Sequence, residues 1–307
     1  SLLSMTDFHS DPVHNAFTQS FLLRSRTDWL YGMNLSRIMS VRLGSPMNVG
    51  RVKAPTMKLV YDNSMGIDHF TPEDYYIVNV DYEEGFTATM LNPDDGAVMR
   101  FPSPDAVPDI PCNGKIEQVE AKSISTHAPQ LYDLGALQAE ASSQLHLTPT
   151  ETLDIVQSLY EKHKCLSYPR TQCRYVSTEK AKEFAQFIEQ AKVFPELSQV
   201  AASVSDISFI FSDKKVVNDA EVAKESHDAL LPTTIAPNLA AMTVNERAVC
   251  LMVYTRMLAQ FLPKLQEKVT QVMIYHGKYL FLAKGKSVLN PGWRILYGVG
   301  KEKYIPE

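Results

Sequence analysis

The chain has 307 residues, 45% of them hydrophobic and 21% charged, and its formal net charge of −5 argues weakly against nucleic acid as a partner. This length supports two or more domains with buried cores, and no apolar run approaches the roughly 20 residues of a membrane helix, so no membrane partner is expected. The four cysteines form neither a CxxC pair nor a zinc-ligand spacing, which predicts reduced thiols and a cytoplasmic location.

The first half of the chain passes from a helical pattern to strand patterns. Residues 12–43 have apolar residues at spacings of three and four, which predicts a helix. A segment with Gly and Pro follows at 44–55, and then a short apolar stretch at 56–61. Alternating residues over 75–90 predict a β-hairpin that turns at 83–85. Two further strands are predicted at 97–103 and 114–125, with a Pro- and Asp-rich loop at 102–111.

The second half is mostly helical until its end. A helix is predicted at 134–145, and another at 150–163 whose cap is Thr148 or Thr150, with Glu151 in the first turn. Residues 177–194 predict one capped helix, and residues 243–263 predict a long amphipathic helix that ends at Pro263. Strand patterns return at 268–277 and 278–285.

This order predicts an α+β, multidomain fold in which a mostly helical domain is inserted between two parts of one sheet. The predicted parts are 1–60, a helical base; 61–125, a first β-rich part; 126–242, the inserted domain; and 243–307, a second β-rich part. Their net charges are +4, −10, −5 and +6, so basic ends flank an acidic middle. A local basic surface binds phosphate even when the total charge is negative. Unpatterned surface charge is the alternative, which these sums leave open.

A phenol and a guanidinium stand close together in "KCLSYPRTQCRYVS" (164–177). A residue before proline avoids the helical region, so Tyr168 should be extended and should point to the same side as Arg170. A nearby cation favours the phenolate, and arginine holds a phosphate through two parallel hydrogen bonds. The pair therefore suits attack by tyrosine on a phosphodiester, and Lys164 and Arg174 add positive charge. A buried tyrosine beside a surface arginine is the alternative.

Five segments together resemble the type IA DNA topoisomerases, particularly the topoisomerase III-like branch. "LYEKHKCLSYPRTQCRYVS" (159–177) is similar to the family's active-site segment, and "RSRTDWLYGMNLSR" (24–37) to the helix that precedes the catalytic region. The others, in the family's order, are "NVGRVKAPTMKLV" (48–60), "LYDLGALQAEAS" (131–142) and "SHDALLPT" (226–233). The resemblance implies a toroid-derived core in which the β-rich parts form a gate arch and residues 126–242 carry the tyrosine.

The resemblance also implies roles for individual residues. Tyr168 would be the nucleophile that holds the 5′ phosphate of a cut single strand of DNA, so that rejoining needs no ATP. Arg170 would contact the scissile phosphate, and His227 is a candidate phosphate contact whose protonation would make cleavage depend on pH. The residues expected to lie at bound DNA are Arg24, Asp28, Arg51, Lys53, Gln157, Glu161 and Arg174.

Each of these assignments has a simpler alternative. Arg24 and Asp28 form an i,i+4 pair, which would contribute only about 0.3–0.5 kcal/mol if exposed, and the DNA-facing group would then be ordinary surface charge. Gln157 and Glu161 share a helix face, which is equally typical of a solvated surface. Gln172 departs from the acid that often stands there in the family, which puts the local electrostatics of cleavage and rejoining in doubt.

The resemblance further implies partners that this sequence does not contain. The family's Toprim domain, with a catalytic Glu and an Asp-x-Asp motif for Mg²⁺, would precede the matching region, and no Asp-x-Asp motif is present. No metal site is predicted in this chain, and "NPDDG" (92–96) is read as an acidic turn. The expected function is that of a nucleoid-associated enzyme fragment: it changes DNA topology when joined to the Toprim domain and is inactive or nearly so alone.

Two other functions are compatible with parts of the pattern. A degenerate homologue would bind single-stranded DNA without cutting it, through basic ends and exposed aromatic residues; the presence of both Tyr168 and Arg170 argues against this. A tyrosine-dependent relaxase would need a His-x-His metal cluster, which none of the eight histidines forms.

Overall fold

The computed structural model describes residues 12–225 and 227–298. Predictions that concern residues 1–11, Ser226 of the "SHDALLPT" motif and residues 299–307 lie outside the described residues. The chain divides into two compact units, Ser1–Asp74 and Tyr75–Glu307, which we call the N-terminal and the C-terminal unit. The mixture of helices with an antiparallel sheet confirms the predicted α+β class. The predicted division into four parts stays a prediction.

The N-terminal unit is built from two helices, α1 (Pro12–Leu43) and α2 (Lys53–Asp68). The first is the helix predicted from apolar spacing. The second was missed, because the sequence indicated only a short apolar stretch at 56–61. It begins where the Gly50 carbonyl accepts a hydrogen bond from the Ala54 N–H (2.9 Å). Pro55 lies in its first turn, where a missing N–H costs nothing.

One five-stranded antiparallel sheet organises the C-terminal unit. Its strands are β1 (Asn79–Asp81), β2 (Thr87–Leu91), β3 (Lys115–Thr126), β4 (Leu265–His276) and β5 (Tyr279–Asn290). They lie in the order β1-β2-β5-β4-β3, so β3 pairs directly with β4 although residues 127–264 separate them in the chain. The two β-rich parts of the sequence therefore belong to one sheet with a helical block between them, as predicted.

The sheet has one apolar core and two features that bear on the predictions. The core contains Ala88, Met90, Phe101, Val272, Ile274, Phe281 and Ala283. The predicted hairpin is present, with Gly85 at φ +86° in its turn. The strand expected at 97–103 is reduced to isolated bridges at Val98 and Phe101, because prolines follow closely and cannot donate to a ladder.

Residues 127–264 form the helical block. Its helices are α3 (Leu134–Leu145), α4 (Pro149–Glu161), α5 (Thr178–Ala181), α6 (Phe184–Ala191), α7 (Pro195–Ser203), α8 (Asp219–Val222) and α9 (Val244–Ala259). The helix predicted at 177–194 is divided into α5 and α6, because Glu183 N–H bonds the Lys180 carbonyl three residues back (3.1 Å) and tightens the chain there. That turn accompanies the burial of Phe184 and Phe187.

The helical block has its own hydrophobic core, which includes most of α9. Val249, Cys250, Val253 and Met257 are buried there with residues of α3, α4 and α6. A second set of contacts is polar: the Arg256 guanidinium of α9, only 5% exposed, donates to Tyr132 Oη (3.0 Å) and to the Gln130 carbonyl (3.0 Å). Helix α9 is therefore packed between the segment that leaves the sheet and the rest of the block.

Candidate active site

The tyrosine segment begins at the end of α4. A capping box of Thr148 and Glu151 starts that helix, so Thr148 is the cap of the two residues that the sequence offered. After the helix ends at Glu161, Lys164 adopts φ +55°, a left-handed conformation that redirects the chain. Cys165 and Leu166 are then fully buried, which anchors the segment just before Tyr168. Tyr168, the candidate nucleophile, lies outside any helix or strand, but the buried residues just before it anchor its backbone.

The segment 227–233 supports the tyrosine segment through main-chain hydrogen bonds. Ser167 N–H donates to the Leu231 carbonyl (2.8 Å), and Thr233 N–H donates to the Cys165 carbonyl (3.0 Å). The Thr233 hydroxyl also donates to the Lys164 carbonyl (2.5 Å). Two of the motifs that carry the resemblance are therefore adjacent in space and connected by hydrogen bonds.

Asp228 forms hydrogen bonds to both ends of the segment that follows Tyr168. Its carbonyl accepts a hydrogen bond from the Thr171 hydroxyl (2.8 Å), and its carboxylate accepts one from the Ser177 N–H (2.5 Å). A side chain without an acceptor oxygen at this position would leave the Ser177 N–H without this partner. Asp228 is therefore a structural clamp, a role that the sequence analysis did not identify.

Two rings contact the ring of Tyr168. The His227 imidazole lies with its centroid 4.7 Å away at an interplanar angle of 44°, and Tyr160 of α4 stands edge-on at 5.6 Å. Tyr168 is half-buried and His227 is exposed, so the cluster is accessible from solvent. The structure thus brings together Tyr168 and His227, two of the three predicted catalytic residues. Tyr160 was not among the predicted site residues; its position eight residues before Tyr168 on a helix face was the only signal.

The two arginines after Tyr168 differ in their surroundings. Arg170 is exposed and has no ion-pair partner among the residues that the structure describes, so its guanidinium is available to an anion. Arg174 is half-buried: its Nε lies 3.6 Å from the Asp133 carboxylate and donates to the Leu131 carbonyl (3.3 Å). Arg174 therefore helps to attach the segment to the start of α3.

The remaining predicted contacts in the C-terminal unit lie on α4. The Gln157 amide donates to the Glu161 carboxylate, so the two residues share a helix face, as their spacing predicts. Glu161 is exposed and Gln157 half-buried. Their role at bound DNA stays a prediction.

In the N-terminal unit, a small network of ions joins three of the predicted DNA contacts. The Asp28 carboxylate accepts a hydrogen bond from Arg51 Nε, and Arg24 Nε lies 3.8 Å from its other oxygen. The hydrogen bond from Arg51 is the main cause that lowers the pKa of Asp28, so the carboxylate stays ionised and orients both guanidiniums. Lys53, the fourth predicted contact there, is exposed at the first position of α2.

A buried carboxylate stabilises the connection between α4 and α9. Glu246 accepts hydrogen bonds from the Ser158 hydroxyl (2.6 Å) and from the Thr243 N–H (2.8 Å), which closes a capping box. These hydrogen bonds lower the pKa of Glu246 to about 2. His163 Nε2 lies 3.4 Å from the same carboxylate. The helix that leads to Tyr168 is thus fixed to the helical core by an ionised group.

We expect the Glu246→Gln variant to lose about 2–3 kcal/mol of unfolding free energy at pH 7. The carboxyl has a lower pKa in the folded than in the unfolded state, so its contribution is complete above about pH 4.5 and declines as the pH falls toward 2. The difference between variant and parent should therefore shrink by about half at pH 3. Urea unfolding at both pH values measures it, with the exposed Glu179→Gln as control; a difference that does not change with pH would contradict the prediction.

No group of three or more His, Cys, Asp or Glu side chains that could hold a metal ion occurs within residues 12–225 and 227–298. Over the same part of the chain, no helix is long and apolar enough to cross a membrane.

Comparisons of the sequence with known proteins give the same family. A family model described as DNA topoisomerase matches residues 13–307. The chain is 31% identical over 290 residues to the DNA topoisomerase 3 of Bacillus subtilis (strain 168), covering 92% of the chain and 39% of that relative. With the DNA topoisomerase 3 of Vibrio cholerae it shares 30% identity over 307 residues, covering 92% of the chain and 46% of the relative.

A solved structure gives the same result for the fold. Full-length topoisomerase I from Thermotoga maritima superposes with a TM-score of 0.64 at 19% identity, covering 92% of the chain and 46% of that protein. The chain thus spans less than half the length of each of these proteins.

Proposed function

The chain belongs to the DNA topoisomerase family, and from this premise we propose that it supplies the tyrosine half of a type IA strand-cleavage site together with the surrounding protein gate. The observation that carries the proposal is the Tyr168 cluster: an accessible phenol beside His227, followed by an exposed Arg170 that has no ion-pair partner in the described part of the chain. Single-stranded DNA is the proposed substrate, and the proposed result is a change in DNA topology without ATP.

The proposed chemistry is a reversible transesterification. The phenolic oxygen of Tyr168 attacks the phosphorus of a strand, an oxygen–phosphorus bond forms, and the bond to the 3′ oxygen breaks. The phenol gives up its proton and the departing 3′ oxygen gains one. Attack by that 3′ hydroxyl reverses the step, so the energy of the broken ester is kept in the phosphotyrosine. Arg170 would stabilise the negative charge that develops on the phosphate, and His227 would position the ring and contact the same phosphate.

The sheet and the helical block support the proposed gate. Residues 127–264 leave the sheet after β3 and return to it at β4, so the chain connects the block to the sheet at two neighbouring segments. Two crossings of this kind suit a hinge. Passage of a second strand through an opening between cut ends is the event that such a hinge would permit.

The N-terminal unit is proposed to contribute strand-backbone contacts and a docking face. Arg24, Arg51 and Lys53 present positive charge there, with Asp28 as their organiser. The unit also exposes large apolar side chains, for example Phe17, Phe21, Trp29 and Leu59, which are between 64% and 73% exposed. Many exposed large apolar side chains on one small unit are consistent with a protein partner. A Toprim domain of a longer polypeptide is the proposed partner, with the protein located at the nucleoid.

Mg²⁺ is proposed to enter through that domain, which would bring the acidic groups of the metal site. The isolated chain is accordingly proposed to cut DNA poorly or not at all, because metal and general acid–base assistance would both be missing.

Capture of a covalent adduct tests the proposal. The chain is mixed with a Toprim domain, Mg²⁺ and a single-stranded oligonucleotide labelled on the side that keeps the 5′ phosphate, and is then denatured. We expect labelled protein whose modified peptide contains Tyr168, and none when the Toprim domain is omitted. Strand binding without any adduct under all conditions would favour the binding-only homologue instead.

A further inference from the structure

A cavity of about 370 Å³ lies where the helical block joins the sheet. Two of its walls are the connecting segments 127–130 and 260–264, which follow β3 and precede β4. The third wall comes from residues 209–216, around a 3-10 turn at Ser208–Ser212. This volume is within the range of small-molecule sites, which measure roughly 300–1,000 Å³. None of the residues proposed for strand cleavage lines it.

Positive charge exceeds negative charge on the lining. Lys215 and Lys264 are exposed, and neither forms an ion pair with a carboxylate in the part of the chain that the structure describes. Burial, and after it the charges of these two lysines, lowers the pKa of His127, which also lines the cavity. Asp213 is the one carboxylate on the lining, and its oxygen accepts a hydrogen bond from the Lys215 N–H (2.9 Å). A bound anion would therefore offset the excess of positive charge on the lining.

Two aromatic rings also line the cavity. The rings of Phe209 and Phe261 meet edge to face, with centroids 6.5 Å apart. Phe261 is buried, whereas Phe209 is 44% exposed, so its ring offers free apolar surface at the cavity. Stacking of a base on such a ring contributes about 1–3 kcal/mol and does not depend on the base.

We propose that this cavity binds a nucleotide, with its phosphate between Lys215 and Lys264 and its base against Phe209. Two ammonium groups match the charge of a terminal phosphate, and the exposed ring suits a flat aromatic base rather than a sugar or a simple anion. The site goes beyond the proposed cleavage function and uses different residues. A free nucleotide and one nucleotide of a strand offer the same chemistry.

Calorimetric titration of the 307-residue chain with thymidine 5′-monophosphate tests the site. We expect saturable binding, with affinity at least about tenfold weaker for inorganic phosphate and for thymidine, because each lacks one half of the recognised structure. The Lys215→Met/Lys264→Met double variant should weaken mononucleotide binding by about tenfold or more, and Phe209→Ala by about fivefold or more. Since all three side chains are exposed, these variants should fold.

Neighbouring residues provide matched controls. Lys214 and Phe211 are exposed, lie next to the cavity in sequence and do not line it, so Lys214→Met and Phe211→Ala should bind like the parent chain. Absence of saturable mononucleotide binding would overturn the proposal. So would equal losses in the controls and in the cavity variants.

A second titration distinguishes the two sources of the nucleotide. A short oligothymidylate is titrated into Tyr168→Phe protein and into the same protein with both cavity lysines replaced. A loss of oligonucleotide affinity in the second protein, together with competition by the mononucleotide, identifies a nucleotide of a strand. Unchanged oligonucleotide affinity with lost mononucleotide binding identifies a free nucleotide. Neither result depends on whether the adduct at Tyr168 forms.

Discussion

The Tyr168→Phe variant is expected to form no covalent DNA adduct, a loss of at least about 10⁴-fold, while it binds single strands within about twofold of the parent chain. Phenylalanine keeps the ring that contacts His227 and Tyr160. It lacks only the oxygen that would become bonded to phosphorus. Stability and strand binding should therefore be unaffected, and the chemistry alone should disappear. The measurement is the adduct assay with a Toprim domain and Mg²⁺, together with a binding titration.

Tyr160→Phe is the matched control for this experiment. It removes a phenolic oxygen from the same aromatic cluster, at a ring that stands 5.6 Å from Tyr168. We expect adduct formation within about threefold of the parent chain, because Tyr160 packs against the nucleophile and does not replace it. If both variants kept the adduct, the nucleophile would be another residue. If both lost it, the effect would have to be assigned to the cluster as a whole.

The helix that leads to the tyrosine segment was predictable because its signals are local. Thr148, one of the two caps that the sequence offered, forms a capping box with Glu151, whereas the roles predicted for Tyr168 and Arg170 stay predictions. The long-range pairing of the two β-rich parts was also predictable, because the strand patterns on both sides of the helical block are strong.

Contacts between distant segments were not predictable in the same way. Asp228 holds Thr171 and Ser177 from more than 50 residues away, and no spacing rule connects such positions. The break between α5 and α6 arises because Phe184 and Phe187 are buried in the core. This burial outweighs the good helix propensity of the residues around the break. Helix α2 was missed because Gly50 lies just before it and Pro55 in its first turn, two residues that usually indicate a loop. Its side chains also form no buried face that would give a clear helical period.

Arg256 is the clearest example of a residue whose role depends on tertiary structure. Its sequence position is the last turn of an amphipathic helix, where a basic residue is ordinarily exposed. The structure instead buries it and surrounds it with acceptors from three places: the segment before α3, Glu140 of α3 and Tyr297. Its guanidinium also lies 4.0 Å from the centroid of the Tyr132 ring. An apolar side chain at this position cannot donate hydrogen bonds to the carbonyl and phenolic oxygens around it.

We expect the Arg256→Met variant to lose about 3–5 kcal/mol of unfolding free energy, because methionine fills part of the volume and leaves the Glu140 carboxylate and two phenolic oxygens without their donor. Arg247→Met on the same helix is the control. Its ion pair with Glu196 (2.7 Å) is about half exposed at both side chains, so it should cost less than about 1 kcal/mol. Urea unfolding followed by circular dichroism gives both values.

A third variant separates the buried charge from the packing. In Arg256→Met/Glu140→Gln the unpaired carboxylate is also removed, so we expect about 1–2 kcal/mol of the loss to be recovered, a coupling typical of residues in direct contact. Recovery would show that the cost lies in the uncompensated charge at the junction of α3 and α9. Equal stabilities for Arg256→Met and Arg247→Met would mean that the network does not hold the helical block together. The segment before α3, which bonds Arg256 through the Gln130 carbonyl, connects the sheet to the helices that lead to Tyr168. Loss of these hydrogen bonds should therefore also loosen the support of Tyr168.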